Sequence, residues 1–67
     1  MGLRKGDKVS WKSHGQTVYG TVDERITSRT DAAGRTVEAS SDEPQYRVRS
    51  DKTGRDAVHK EEALRRE

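Results

Sequence analysis

The residues of this 67-residue chain that could perform chemistry are two histidines, His14 and His59, together with serines and carboxylates. Hydrolysis needs a nucleophile, a base and an orienting acid gathered in one pocket. The sequence contains neither a nucleophile elbow nor a glycine-rich phosphate loop. The histidines have no ligand spacing between them, and no cysteine is present to complete a metal site. We therefore predict no catalytic residue, no bound metal and no cofactor.

A second group of residues is suited to binding. Lys12, Arg47 and Arg49 alternate with apolar residues, so on strands they point away from a core, and Tyr19 does the same. Basic side chains beside an exposed aromatic ring can contact phosphates and stack on bases. The alternative is a solvated sheet face, on which arginines protect against edge-to-edge pairing. Lys12, Tyr19, Arg47 and Arg49 are the candidate ligand-binding residues.

The aromatic side chains are few, since the chain has one tryptophan, two tyrosines and no phenylalanine. A cage for a methylated lysine needs about three or four aromatic faces around the cation. The alternation turns Trp11 and Tyr46 toward the core and Tyr19 to the opposite face. We expect Trp11 and Tyr46 to pack in the core, and we expect no complete cage.

The elements that would position these residues are short strands separated by turns. Period-two alternation predicts strands over residues 8–12 and 16–27, joined by a tight turn at His14 and Gly15. Gly20 lies inside the second strand, which indicates a bend or a close approach of another backbone. Val22 and Ile26 have the same parity, so both should face the core. The predicted core and structural residues are Val9, Trp11, Val18, Gly20, Val22, Tyr46, Val48 and Leu64.

Two further hairpins are indicated by turn signals at residues 31–34 and 51–54, each with aspartate first and glycine fourth. The first would join residues 26–29 to 35–39, and the second would join 45–50 to 55–60. We expect residues 28–44 to form a long acidic loop or hairpin. Residues 60–67 are predicted to form one helical turn and then to fray.

Composition indicates one small soluble domain. The 14 basic and 12 acidic residues give a net charge of +2, too small by itself to indicate nucleic-acid binding. No apolar run approaches the roughly 20 residues of a membrane helix, and the absence of cysteine fits a reducing compartment. We expect residues 1–67 to form a single domain, ordered over about residues 5–65, as a cytoplasmic monomer without membrane contact.

Several stretches together resemble a known family. They are residues 5–11 (KGDKVSW), 20–22 (GTV), 44–54 (PQYRVRSDKTG) and 59–60 with 63–64. The chain is similar in these stretches to the hypervirulence-associated protein TUDOR domain family. The resemblance implies an all-β, five-stranded, SH3-like (Tudor-like) antiparallel barrel with a short C-terminal helical turn, in a small bacterial protein. It implies no catalytic residue and no established ligand.

The sequence therefore predicts a non-enzymatic binding module. The first hypothesis is binding of a protein or peptide through the barrel's loops or an open strand edge. The second is weak, salt-sensitive nucleic-acid binding through Lys12, Arg47 and Arg49 with Tyr19. The third is self-association or a structural role without a small ligand.

Overall fold

The computed structural model describes residues 2–67, and nearly all their regular elements are β-strands. In chain order these elements are β1 (Lys8–Ser13), β2 (Gln16–Ile26), β3 (Thr30–Ala32), β4 (Arg35–Val37), β5 (Gln45–Ser50), β6 (Asp56–Lys60), a 3₁₀ turn (Glu61–Ala63) and β7 (Arg65–Arg66). Five strands form one antiparallel sheet in the order β6-β5-β2-β1-β7, and β3 and β4 form a separate hairpin. The predicted all-β, five-stranded, Tudor-like fold is confirmed. Within the described residues β6 and β7 remain the two edges of the sheet, so no pairing closes the barrel.

β2 is the strand shared by both halves of the sheet. Its residues 16–21 pair with β1 and its residues 20–26 pair with β5, so the two pairings overlap at Gly20 and Thr21. A Cβ atom built on Gly20 would collide with the carbonyl oxygen of Arg49 and would lie 2.6 Å from Cη2 of Trp11. Only glycine fits where the neighbouring backbone and the indole ring both come this close.

The main core covers one face of the sheet. Its buried members are Leu3, Val9, Trp11, Val22, Tyr46 and Val48. Val18, Ala57 and Leu64 are partly buried and pack against it, so Val18 and Leu64 lie at the rim of the core. Trp11 is only 6% exposed, because the space left by Gly20 receives its ring.

A β-bulge in β2 reverses the facing of the residues that follow it. The register against β5 shifts between Val22 and Glu24, after which Glu24 opposes Arg47 and Ile26 opposes Gln45. Residues directly opposite on paired strands lie on the same face. The prediction that Ile26 shares a face with Val22 is wrong, because the extra residue of the bulge turns Ile26 to the other side.

A second, smaller core forms on that other side. Its buried members are Ile26, Val37, Ala39 and Val58, with Ala32 partly buried against them. The β3–β4 hairpin and the chain after it therefore cover the face of the sheet that carries Ile26 and Val58. Residues 28–44 contain this hairpin, and its apolar residues explain why the segment packs on the sheet.

The β3–β4 turn lies one residue later than the turn signal indicates. Ala33 and Gly34 both have positive φ, 51° and 76°, which is the pattern of a two-residue hairpin loop. Asp31 lies in β3, where it accepts a hydrogen bond from the Thr36 hydroxyl at 3.1 Å. The predicted role of Asp31 as the first turn residue is therefore wrong. At residues 51–54 the predicted left-handed glycine is present, since Gly54 has a φ of 75°.

The residues after the helical turn form a strand. The 3₁₀ turn Glu61–Ala63 agrees with the predicted turn, and β7 then pairs with β1. The amide of Glu67 donates to the carbonyl oxygen of Lys8 at 2.9 Å, and the Ser10 hydroxyl donates to Glu67 Oε2 at 2.6 Å. The predicted fraying is wrong, because these bonds attach the segment to β1.

Candidate functional site

Tyr19 is the one large hydrophobic side chain in residues 2–67 that is exposed, with 57% of its surface accessible. It lies on β2 directly opposite Ser10 of β1, on the face away from the main core. The neighbouring position on β1 is Lys12, which opposes Thr17. An exposed ring on a regular strand has a fixed backbone, so little freedom beyond its own rotamers is lost on binding.

A cavity of about 460 Å³ lies beside Tyr19. We call it the Tyr19 groove; it is lined by Ser10, Trp11, Lys12, Thr17, Tyr19, Glu62, Ala63, Leu64, Arg65 and Glu67. One wall comes from β1 and β2, and the other comes from the 3₁₀ turn and the residues after it. The groove therefore exists because β7 returns to pair with β1.

The walls of the groove combine apolar surface with balanced charge. Leu64 is half-buried and packs against the main core, so it offers an apolar side to the groove. Two cations, Lys12 and Arg65, and two carboxylates, Glu62 and Glu67, line it. Such a lining suits a segment with an apolar side chain and polar flanks better than a polyanion.

Of the four candidate ligand-binding residues, the structure brings two together. Lys12 and Tyr19 both line the groove, and the Lys12 ammonium donates to Thr17 Oγ1 at 2.9 Å. Arg47 and Arg49 lie on β5, on the far side of β2 from β1, and neither lines the groove. The register places all four side chains on one face of the sheet, but only Lys12 and Tyr19 line the groove.

The charge of Arg47 is balanced by two carboxylates. Its guanidinium lies 2.8 Å from Asp23 Oδ2 and 3.6 Å from Glu24 Oε1. Asp23 lies at the bulge, so the irregularity that reverses β2 also brings a carboxylate to Arg47. Arg47 is half-buried and, with the β3–β4 turn, lines a separate cavity.

Two other cations of this face, Arg49 and Lys8, are also paired with carboxylates. Arg49 Nε lies 3.3 Å from Asp56 Oδ1, and Lys8 Nζ lies 3.4 Å from Asp51 Oδ2. Exposed pairs contribute little stability, but each carboxylate cancels much of the positive potential of its partner. The positive charges of Arg47, Arg49 and Lys8 are therefore largely balanced.

The aromatic residues do not converge. Tyr46 is fully buried, and its hydroxyl donates to Glu61 Oε1 at 3.0 Å. Trp11 lies in the main core with its ring centroid 5.6 Å from that of His59, and Tyr19 lies on the opposite face of the sheet. Residues 2–67 thus provide no three-sided aromatic cage.

His59 is a half-buried histidine on β6. Burial, and to a lesser degree the positive charge of Arg35, lower the pKa of His59 below its ordinary value of 6.5. His14 lies in the exposed β1–β2 turn with a φ of 52°. Within residues 2–67 no three histidines or carboxylates lie close enough together to hold a metal ion.

Sequence reasoning did not identify the second wall of the groove. The helical turn and frayed end predicted for residues 60–67 provide no binding wall. The signal available was Leu64, an apolar residue among charged neighbours. A strand of two residues is too short for alternation to reveal it.

Fold and groove define a small Tudor-like domain, and domains of this class are in general small, non-catalytic binding modules. The chain belongs to the family described as Hypervirulence associated proteins TUDOR domain, whose sequence model matches residues 6–64. No curated protein and no solved structure matches the chain. Residues 2–67 include no helix with the length and hydropathy needed to cross a bilayer.

Proposed function

We propose that the chain is a non-enzymatic module that binds a protein or peptide segment through the Tyr19 groove. The observation that carries the proposal is the exposure of Tyr19, at 57%, beside a groove that Leu64 and Trp11 help to line. Tyrosine and tryptophan are among the residues that contribute most to protein interfaces, because their rings bury much area with few rotatable bonds.

The size and lining of the groove support a peptide side chain as the ligand. A volume of about 460 Å³ lies within the usual range of about 300–1,000 Å³ for ligand sites. It has room for an apolar side chain and part of the backbone on either side. Lys12 and Arg65 on its walls can hydrogen-bond to peptide carbonyl groups, and Glu62 can accept from peptide amides.

Nucleic-acid binding through Lys12, Arg47 and Arg49 is the less well supported alternative. Contact with phosphates needs cations that are free to replace counterions. Arg47 and Arg49 are already paired with Asp23 and Asp56, so a phosphate would compete with a carboxylate at each site. Of these three cations, Lys12 lines the same groove as Tyr19, whose exposed ring could stack on a base.

A cytoplasmic location is part of the same proposal. The chain contains no cysteine, and an intracellular compartment needs no disulfide to stabilise a small domain. Two apolar cores, rather than disulfides, stabilise the fold.

The test is selection of binders from a random peptide library displayed on phage, followed by synthesis of the selected peptides. Tyr19→Ala should weaken their binding at least tenfold or so, because the main exposed contact is lost. Lys52→Ala, in the exposed β5–β6 turn, is the matched control and should leave binding unchanged. Recovery of no peptide, or of peptides that bind Tyr19→Ala as well as the natural chain, would contradict the proposal.

A further inference from the structure

The edge of the sheet at β6 presents main-chain groups with no partner strand. β6 pairs with β5 on one side and ends the sheet on the other. The amide of Ser50 donates to the carbonyl oxygen of Arg55 at 2.9 Å. This bond determines which residues of β6 direct their main-chain groups toward β5. In an antiparallel pair such positions alternate. The main-chain groups of Ala57 and His59 therefore point toward β5.

The intervening residues, Asp56, Val58 and Lys60, point their amides and carbonyl groups outward. Within residues 2–67, none of the main-chain hydrogen bonds outside the ladders involves these residues. Val58 belongs to the second core and the whole residue is only 7% exposed, so pairing at this position would use its outward main-chain groups and not its side chain. An edge of this kind is a template for another strand.

We propose that the β6 edge pairs with the same edge of a second copy of this chain. The two strands would run antiparallel about a two-fold axis at Val58, as a closed two-fold dimer requires. Val58 would then oppose Val58 of the second copy, with its outward amide and carbonyl groups bonded across the axis. Asp56 would oppose Lys60 of the second copy, and Lys60 would oppose Asp56.

The charge order along the edge selects this partner and this register. Opposite charges directly across a strand pair stabilise it, and like charges destabilise it. In the register centred on Val58, Asp56 of each copy faces Lys60 of the other. The edge is thus complementary to itself, which is the property that a partner of identical sequence needs.

Other registers do not place opposite charges across from each other in this way. A two-fold axis at Asp56 or at Lys60 would place like charges opposite each other at the centre. An axis at Ala57 or at His59 would place no residue of opposite charge across from Asp56 or Lys60. A register that moves one strand by a single residue would oppose outward groups to groups already bonded to β5.

The dimer edge and the Tyr19 groove are formed by different residues. β6 is one edge strand, and the groove lies where β1 meets β7 at the other edge. Dimerisation through β6 would therefore use none of the residues that line the groove. The edge contains five residues, so the interface is small and association is expected at high protein concentration.

Sedimentation velocity of the full chain, from micromolar to millimolar concentration, tests the proposal with two charge reversals, Asp56→Lys and Lys60→Asp. The natural chain should shift from a monomer of 7.6 kDa toward twice that mass. Each single variant should associate at least about tenfold more weakly, because like charges then face each other. An equal mixture of the two variants should associate again, since the hybrid restores opposite charges.

Amide-resolved NMR spectra of both variants control for folding. Asp56 is paired with Arg49, so Asp56→Lys could disturb the domain, whereas Lys60 is exposed and belongs to none of the ion pairs of residues 2–67. Lys60→Asp alone therefore keeps the test decisive. A natural chain that stays monomeric at millimolar concentration, or a Lys60→Asp variant that associates as strongly as the natural chain, overturns the proposal.

Discussion

The guanidinium of Arg47 lies 2.8 Å from the carboxylate of Asp23, at the bulge that reverses β2. This contact depends on the bulge, and it bears on whether the domain binds a peptide or a nucleic acid. The bulge brings Asp23 to the face of β5 that would otherwise present an unpaired arginine. The same bulge turns Ile26 away from the main core, and the second core forms around it.

The Arg47–Asp23 pair should contribute measurably to stability. Its side chains are 32% and 28% exposed, so solvent screens the pair less than it screens the Arg49–Asp56 pair, in which Arg49 is 57% exposed. In double-mutant cycles with Arg47→Met and Asp23→Asn, we expect a coupling of about 1 kcal/mol. For Arg49→Met with Asp56→Asn we expect less than about 0.5 kcal/mol.

Urea unfolding of the single and double variants measures both couplings. A coupling near zero for Arg47 and Asp23 would mean that the arginine is free to bind an anionic ligand. In that case Arg47 on β5 could contribute to a basic binding face.

Gly20→Ala should strongly destabilise the domain. The added methyl group would collide with the carbonyl oxygen of Arg49 and would lie 2.6 Å from Cη2 of Trp11. Because a backbone atom is involved, side-chain movement alone cannot relieve the contact, and we expect a loss of about 2–3 kcal/mol. Urea unfolding measures it, with Thr17→Ala on the exposed face of β2 as the control, expected within about 0.5 kcal/mol of the natural chain. Equal stabilities of Gly20→Ala and the control would show that the sheet need not bend here.

The fold could be predicted because its main strands carry regular alternation. β1, β2 and β5 are long enough for period two to separate Val9 and Val48 from their polar neighbours, and Gly20 stands out within β2. The β5–β6 hairpin follows from a turn whose glycine, Gly54, has the expected left-handed φ. These signals are local, so a single sequence carries them.

The features that could not be predicted depend on contacts between residues that are distant in the sequence. A bulge reverses which face of the sheet the following residues occupy, and no single residue type in the sequence marks its position. The prediction that Ile26 lies on the main-core face is therefore wrong. β7 has two residues, and it is a strand because β1 is beside it. The groove wall at Leu64 depends on that pairing. The partners of Arg47 and Arg49 likewise depend on strand adjacency, which alternation does not reveal.

His59 should make the domain less stable in mild acid. Burial, followed by the charge of Arg35, lowers the pKa of His59 in the folded state below 6.5, its ordinary value. The unfolded chain then binds a proton more readily than the folded one, so stability falls as the pH drops below that value. Above it the histidine is neutral in both states and this contribution is constant.

Urea unfolding at several pH values between mild acid and neutrality measures this dependence. His59→Gln should flatten it, and His14→Asn in the exposed turn should retain the dependence of the natural chain. An NMR titration of the His59 ring reports its pKa directly. A pKa at or above 6.5 would contradict the burial described for this side chain.

Ala33→Asn should stabilise the β3–β4 hairpin. Ala33 has a φ of 51°, a left-handed conformation that costs a residue with a Cβ roughly 1–2 kcal/mol. Asparagine tolerates this region, and Asn-Gly is a preferred pair for a two-residue hairpin loop. We expect a gain of about 0.5–1 kcal/mol by urea unfolding. Ala32→Asn, in β3, is the control and should bring no gain; equal effects at both positions would argue against the turn described here.

The most direct test of the proposed binding site is an amide-resolved NMR titration of the labelled chain. Two probes are added separately at low and moderate salt: a peptide selected from the phage library, and mixed short single-stranded oligonucleotides. The peptide should shift the amides of Lys12, Tyr19 and Leu64, with little dependence on salt, and the oligonucleotides should shift few. Salt-sensitive shifts centred on Arg47 and Arg49 with oligonucleotides, and no shifts around Tyr19 with peptide, would contradict the account.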